Sequence, residues 1–138
     1  RAFLPSAFLK MIQSSGEDVL VLRKDVFQPC LVMYPESVWN EQMDELRGRL
    51  NRWNPQHQQI FRQFVADAEV VTLDSNGRFL IPRRFLKMLG IGSDVRFVGM
   101  GDTIELWTNE RADEVRMDAG QFGKVLSEIM KEDTANKK

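Results

Sequence analysis

One cysteine, one histidine, one tyrosine and a formal net charge of −1 mark this chain of 138 residues, and each scarcity excludes something. With Cys30 alone, no disulfide framework can form, and a reducing cytosol suits the chain. A single histidine, His57, without a neighbouring cysteine cannot make the usual zinc spacings. No apolar run approaches the roughly 20 residues that span a bilayer, and the opening is not a signal peptide, so no membrane partner is expected. Gly-x-Gly-x-x-Gly, the P-loop and Gly-x-Ser-x-Gly are all missing, and Gly90-Ile-Gly92 reads as a helix stop. The paired acids Asp44-Glu45 and Glu132-Asp133 read as solvated helix faces. A Cys30–His57 nucleophile pair is the one catalytic arrangement available, and the apolar strand around Cys30 argues for a buried thiol instead. The expectation is a protein that is not an enzyme, with no cofactor, no metal and no small-molecule substrate.

With 43% hydrophobic and 28% charged residues the chain is neither disordered nor fibrous, and its length suits one domain or two half-domains sharing a core. The near-zero net charge carries no global nucleic-acid signal. A nucleic-acid binder with this balance has to concentrate its cations locally.

What is present is a repeat. Arg1-Ala-Phe-Leu-Pro5-Ser-Ala-Phe8-Leu9-Lys10-Met11-Ile12 returns as Arg78-Phe-Leu-Ile-Pro82-Arg-Arg-Phe85-Leu86-Lys87-Met88-Leu89, with six of twelve positions identical. Unrelated stretches of ordinary composition match at about one position in twelve. Asp18–Leu22 then aligns with Asp94–Val98, and Cys30–Tyr34 with Thr103–Trp107, at offsets drifting from 77 to 76 to 73. Such a unit cannot bury its own core, so two copies must pack together. The second copy has an approach, Ala68 to Gly77, that the first copy lacks before Arg1. A strand and an Asp-x-x-Gly turn are therefore expected ahead of Arg1 in the whole protein.

The coarse organisation follows. Residues 1–34 form the first repeat, 35–67 the linking helices, 68–107 the second repeat, and 108–138 the C-terminal helices and tail. Val70–Leu73 and Phe79–Ile81 read as strands around the turn Asp74-Ser-Asn-Gly77. Arg83–Leu89 reads as a short helix entered through Pro82 and ended by Gly90. Asp94–Val98 and Thr103–Trp107 form a hairpin turning at Gly99, Gly101 and Asp102. After Pro35, Trp39, Met43, Leu46, Leu50 and Trp53 make a narrow apolar stripe on one helix, and Asn54-Pro55 opens another. Packing on the chain's own helices is the ordinary explanation of the stripe. An oligomer interface is the other, since the small units offer little surface to bury two tryptophans. From Thr108 onward Val115, Phe122, Val125, Leu126 and Ile129 supply a further apolar face.

Charge segregates along this pattern. Ser75 to Ser93 hold Arg78, Arg83, Arg84 and Lys87 and no acid; residues 1–16 hold Arg1 and Lys10 and no acid. Asn109 to Asp133 carry seven acids against four cations. Within Asp74-x-x-Gly77-Arg78-x-x-Ile81-Pro82, the Asp caps the turn, the Gly supplies backbone freedom and the Arg leaves on a strand edge, suited to a phosphate or guanine. The competing arrangement pairs Arg78 back to Asp74 across the turn.

This motif resembles the SpoVT-AbrB superfamily, and two such units separated by helices resemble its MraZ family over essentially the whole chain. The resemblance implies an α+β fold in which the two units form a swapped-hairpin β-barrel. It further implies sequence-specific binding of double-stranded DNA as a transcriptional regulator, at tandem short repeats upstream of the division and cell-wall gene cluster, by a cytoplasmic, nucleoid-associated protein that assembles into rings. Carried over residue by residue, the motif arginines are Arg78 and Arg1, and the basic residues closing the short helices are Lys87 and Lys10. Arg83 and Arg84 accompany them only in the second copy, where the first has Ser6 and Ala7. The alternative is an oligomeric scaffold that uses the same fold without reading DNA.

Overall fold

The runs Leu20-Val-Leu22 and Leu31-Val-Met-Tyr34 are continuously apolar, the pattern of strands covered on both faces. The computed structural model describes residues 2–3, 5–14, 16–90 and 94–136, and it bears this pattern out. The chain gives β1 (Ala2–Phe3), α1 (Ser6–Ser14), β2 (Val19–Lys24) and β3 (Leu31–Pro35), then α2 (Glu36–Arg49) and α3 (Pro55–Ala66). There follow β4 (Ala68–Thr72), β5 (Arg78–Phe79), α4 (Arg83–Leu89), β6 (Arg96–Gly99) and β7 (Ile104–Trp107). Helices α5 (Asn109–Glu114) and α6 (Ala119–Asn136) complete the α+β fold. The expected helix ends are found where the side chains dictate them. Asn54 accepts the N–H groups of Gln56 and His57 ahead of Pro55, Thr108 Oγ1 accepts that of Arg111, and Gly90 stops α4 at φ +67°.

Five strands make one antiparallel sheet in the order β4-β2-β3-β7-β6, and β1 pairs with β5 in a separate ribbon. The five-stranded sheet is open, with β4 and β6 as its edges among the described residues. The repeats interleave: β4 lies beside β2, and β3 beside β7. Across β3–β7, Leu31 faces Leu106, Val32 faces Glu105 and Met33 faces Ile104. Under the repeat offset of 73 (105 minus 32), Leu31 is equivalent to Ile104 and Met33 to Leu106. Exchanging the repeats therefore maps this ladder onto itself, and a pseudo-two-fold axis runs through Val32–Glu105. In the ribbon Ala2 faces Phe79, its own equivalent at offset 77.

The alignment of Asp18–Leu22 with Asp94–Val98 needs correcting by one residue. Val21 faces Tyr34 as Arg96 faces Trp107, and Leu22 faces Met33 as Phe97 faces Leu106, which makes the offset 75. The period of two decides it. Leu20 and Leu22 share a core with Val95 and Phe97, and a slip of one residue would send Phe97 to the opposite face. Asp18 and Asp94 precede the strands and carry no such constraint. The short strand expected at Phe79–Ile81 is also displaced, to Arg78–Phe79, although Ile81 remains buried.

One face of the sheet packs Leu20, Leu22, Leu31, Met33, Ile104 and Leu106 against α1 and α4, through Phe8, Leu9, Ile12, Phe85, Leu86 and Leu89. Phe85 is fully buried, so truncating it to Ala removes about 3–5 kcal/mol. The other face sets Val21, Cys30, Val32, Tyr34 and Trp107 against Val38 and Trp39 of α2 and Ala112 of α5. Arg23 is buried there too. Its guanidinium lies 4.2 Å from the Phe64 ring centroid, its Nη1 donates to the Lys24 carbonyl, and its Nε has no hydrogen-bond partner. Phe64 stacks on Trp39 at 5.5 Å, and Trp39 meets Tyr34 edge-on at 5.3 Å. This column fastens α2 and α3 to the sheet.

The turn of the second repeat is locked onto the first. Gly77 has φ +77°, and a Cβ there would lie 2.8 Å from Leu9 Cδ2 of α1. Gly77→Ala should lose about 1–3 kcal/mol, from the left-handed backbone and the clash together. Gly90→Ala, at φ +67° with nothing within 4 Å, carries the backbone cost alone and should lose less. Urea denaturation of the two variants measures the difference.

Candidate nucleic-acid interface

Asp74 organises the turn from which Arg78 emerges. Its Oδ1 accepts the N–H groups of Asn76 at 2.8 Å and Arg78 at 2.9 Å, and its Oδ2 accepts Arg78 Nε at 2.8 Å. The backbone N–H of Arg78 chiefly, then that of Asn76 and the guanidinium, hold the Asp74 carboxyl below the usual carboxylate range. Of the two arrangements the motif allows, the pairing of Arg78 to Asp74 is therefore present. The Arg78 side chain is still 36% exposed, so the carboxylate fixes one edge of the guanidinium and aims it without burying it. Thr72, Asp74, Arg78, Phe79 and Leu80 line a shallow depression beside it.

The basic helix follows. Pro82 starts α4, and Phe85 and Leu89 anchor it in the core, which leaves Arg83, Arg84 and Lys87 on its outer side. Arg84 is committed in part: its Nε lies 3.3 Å from Glu69 Oε1 on β4, and its guanidinium sits over the Phe85 ring. Arg83 and Lys87 are exposed, as is Lys10 on α1, and among the described residues none of the three forms an ion pair. Arg1 lies outside the described residues. Because β1 and β5 are antiparallel and each feeds its own short helix, α1 and α4 leave opposite ends of the ribbon. The basic positions of the two repeats are thereby set in a two-fold relation.

The apolar stripe divides. Helix α2 ends at Arg49, so it carries Trp39, Met43 and Leu46, while Leu50 is the extended C-cap and Trp53 lies in the turn beyond. Trp39 is taken up by Tyr34 and Phe64 within the chain. Trp53 is 93% exposed. The 3.6-residue spacing continued past the helix it described, because Asn51 and Asn54 turn the chain through their own side chains. The same corner holds cations that the repeat-centred reading passed over. Residues 46–66 contain Arg47, Arg49, Arg52 and Arg62 and no acid, a signal available from a plain charge count. Arg47, Leu50, Arg52, Trp53, Gln58 and Phe61 line an open groove of about 610 Å³.

Cys30 is buried in the sheet core and His57 is engaged in the α2–α3 turn. The Cys30 thiol is pushed up to about 12 by burial first, with Glu105 and Asp25 adding repulsion. His57 Nδ1 accepts the Asn51 N–H at 2.9 Å and serves the α2–α3 turn. Among the described residues no group of three or more His, Cys, Asp or Glu can hold a metal ion, and no helix is long and apolar enough to cross a membrane. A thiol so buried should resist alkylation at pH 8 in the folded protein and label rapidly in denaturant, with intact mass as the readout.

Comparison with known proteins agrees with the resemblance to the MraZ family. The model of the MraZ protein family matches residues 64–119, the segment containing the turn, Arg78 and α4. A Transcriptional regulator MraZ of Bacteroides fragilis is 58% identical over 133 residues, covering 96% of this chain and 84% of the relative. The protein of the same name from Phocaeicola vulgatus is 60% identical over 130 residues, covering 94% and 84%. That of Bacteroides thetaiotaomicron is 55% identical over 133 residues, covering 96% and 85%. Identity this high across both repeats and the helices between them means that the chain belongs to the MraZ family.

Proposed function

We propose that the protein is a sequence-specific DNA-binding transcriptional regulator of the cytoplasm and nucleoid. In this reading it has no catalytic role and binds tandem short repeats upstream of the division and cell-wall gene cluster. The observation that carries the reading is the two-fold placement of two basic units on one rigid core. Arg78, Arg83, Arg84 and Lys87 stand on the second, and Lys10, with Arg1 in sequence, on the first. The relatives' shared name, transcriptional regulator, supports it. In mechanism, Arg83, Lys87 and Lys10 meet phosphates and set the register. Arg78, held at Nε by Asp74, presents its guanidinium to a base edge. Prior immobilisation by Asp74 reduces the side-chain entropy lost on contact. With few base contacts per unit, affinity comes from assembly. Several subunits in a ring engage adjacent repeats together, and linkage multiplies weak contacts.

The scaffold reading draws on two facts: the net charge of −1, and the engagement of Arg78 and Arg84 by acids of the same chain. Binding measurements separate the two readings. Arg78→Ala should keep the fold and weaken operator binding by about 1–3 kcal/mol per occupied unit, read by mobility shift. Normal binding, or loss of the fold in circular dichroism, would make the Asp74 pair purely structural.

Salt dependence gives a second check. Lys87→Ala should lower the slope of log affinity against log salt by about 0.9 for each lost phosphate contact. Arg84→Ala should lower it less, because that side chain must first leave Glu69. A slope near zero for the unmodified protein would instead establish the scaffold.

A further inference from the structure

Of the cations on α4, Arg84 alone has an acid for a partner among the described residues. Its Nε lies 3.3 Å from Glu69 Oε1 on β4, and its guanidinium rests 4.7 Å over the Phe85 ring. This pair differs from that of Arg78 with Asp74. Two backbone N–H groups and Arg78 Nε hold the Asp74 carboxylate at 2.8–2.9 Å, so it stays in its turn. Glu69 sits on the edge strand β4, opposite Leu22, and among the described residues no backbone N–H donates to its carboxylate. The Arg84 and Glu69 side chains are 41% and 37% exposed, so a duplex on the outer side of α4 can reach both. A surface pair of this kind favours the closed form by no more than about fivefold. It yields to a ligand that satisfies both members.

The parts of a duplex differ in whether they do so. A phosphate accepts from Arg84 but leaves Glu69 unpaired beside a like charge. An A·T pair sets the adenine amine between its two major-groove acceptors, so a guanidinium finds no adjacent acceptors to grip with two N–H groups. A G·C pair offers guanine O6 and N7 to the arginine and the cytosine N4 amine to the carboxylate. Resting on the DNA-binding reading above, we infer that the Arg84–Glu69 pair opens on one G·C base pair of the target, Arg84 passing to guanine and Glu69 to the cytosine amine. Glu69 is then a specificity residue: it favours that base pair and withholds Arg84 from phosphates elsewhere. The first repeat has Ala7 where the second has Arg84, so this base pair is read on one side of the pseudo-two-fold core.

Binding of a duplex from upstream of the division and cell-wall gene cluster tests the inference, beside a scrambled duplex of the same length and composition, over a range of salt. Each G·C pair of the repeat is replaced in turn by A·T, for the unmodified protein, Arg84→Ala, Glu69→Ala and the double variant. Unchanged melting curves verify the folds. In the unmodified protein, replacement at the read position weakens binding about 5–150-fold. With Arg84→Ala that penalty disappears while those at other positions persist. With Glu69→Ala it shrinks at least about threefold, through loss of the cytosine contact. Glu69→Ala also binds the scrambled duplex more tightly, its salt slope steeper by about 0.9 as the released Arg84 takes a phosphate. The double variant loses that steepening. A gain on scrambled DNA of the same size without Arg84 would make Glu69 a plain repelling charge and overturn the inference. Discrimination unchanged at every position in Arg84→Ala or in Glu69→Ala overturns it too, and leaves the DNA-binding reading standing. If the unmodified protein binds neither duplex, that reading fails and the inference falls with it.

Discussion

The ladder between β3 and β7, centred on Val32 and Glu105, is the contact on which the rest of the molecule depends. Neither hairpin is stable alone, because two strands bury too little surface. Joined edge to edge, they bring Leu31, Met33, Ile104 and Leu106 into one layer that α1 and α4 can cover. The antiparallel register makes the join two-fold, so it also fixes where the β1–β5 ribbon and the two short helices go. The spacing of the basic positions is thus a consequence of core packing. A regulator that must match two units to a duplex gains rigidity from this arrangement, since the units cannot move apart without opening the sheet.

The symmetry is broken where the linking helices enter. Arg23 of the first repeat stands where the second has Val98, and its buried guanidinium is offset by the Phe64 ring, the Lys24 carbonyl and Asp67 at 3.9 Å. Desolvating such a group is unfavourable, and its unpaired Nε adds to that. What the arginine supplies is direction. It holds Phe64, hence Trp39, and so fixes the base of the α2–α3 hairpin against the sheet. At the far end of that hairpin Asn51, Arg52 and Trp53 are exposed.

Most of the fold could be read in the sequence because its signals are local, and for the short helices and hairpins the repeat supplied a second copy. The turn at Asp74–Gly77, the helix 83–89 and the caps at Asn54 and Thr108 were each dictated by residues within four positions. Two features escaped for physical reasons. The β2–β6 alignment slipped because two aspartates outside the strands matched, while the alternation of faces that sets register is visible only against partner strands. The stripe from Trp39 to Trp53 overran its helix because apolar spacing says nothing of where hydrogen bonding stops. Of the proposed interface, the cations were legible as a cluster. Their pairings, Arg78 with Asp74 and Arg84 with Glu69, differ in that respect. The first is local and the spacing offered it, but the second joins α4 to β4 and depends on the tertiary fold.

A net charge near zero fits a DNA-binding surface when opposite charges lie on separate faces. Residues 109–133, with seven acids against four cations, carry a net −3, which nearly balances the four arginines of residues 46–66. The remaining field comes from the repeats, where Arg83, Lys87 and Lys10 are exposed. Screening reduces interactions beyond about 8–10 Å at physiological salt, so a duplex at the ribbon responds to those nearby cations and little to distant acids. Assembly, on the proposed reading, would multiply the basic units offered to a repeated target.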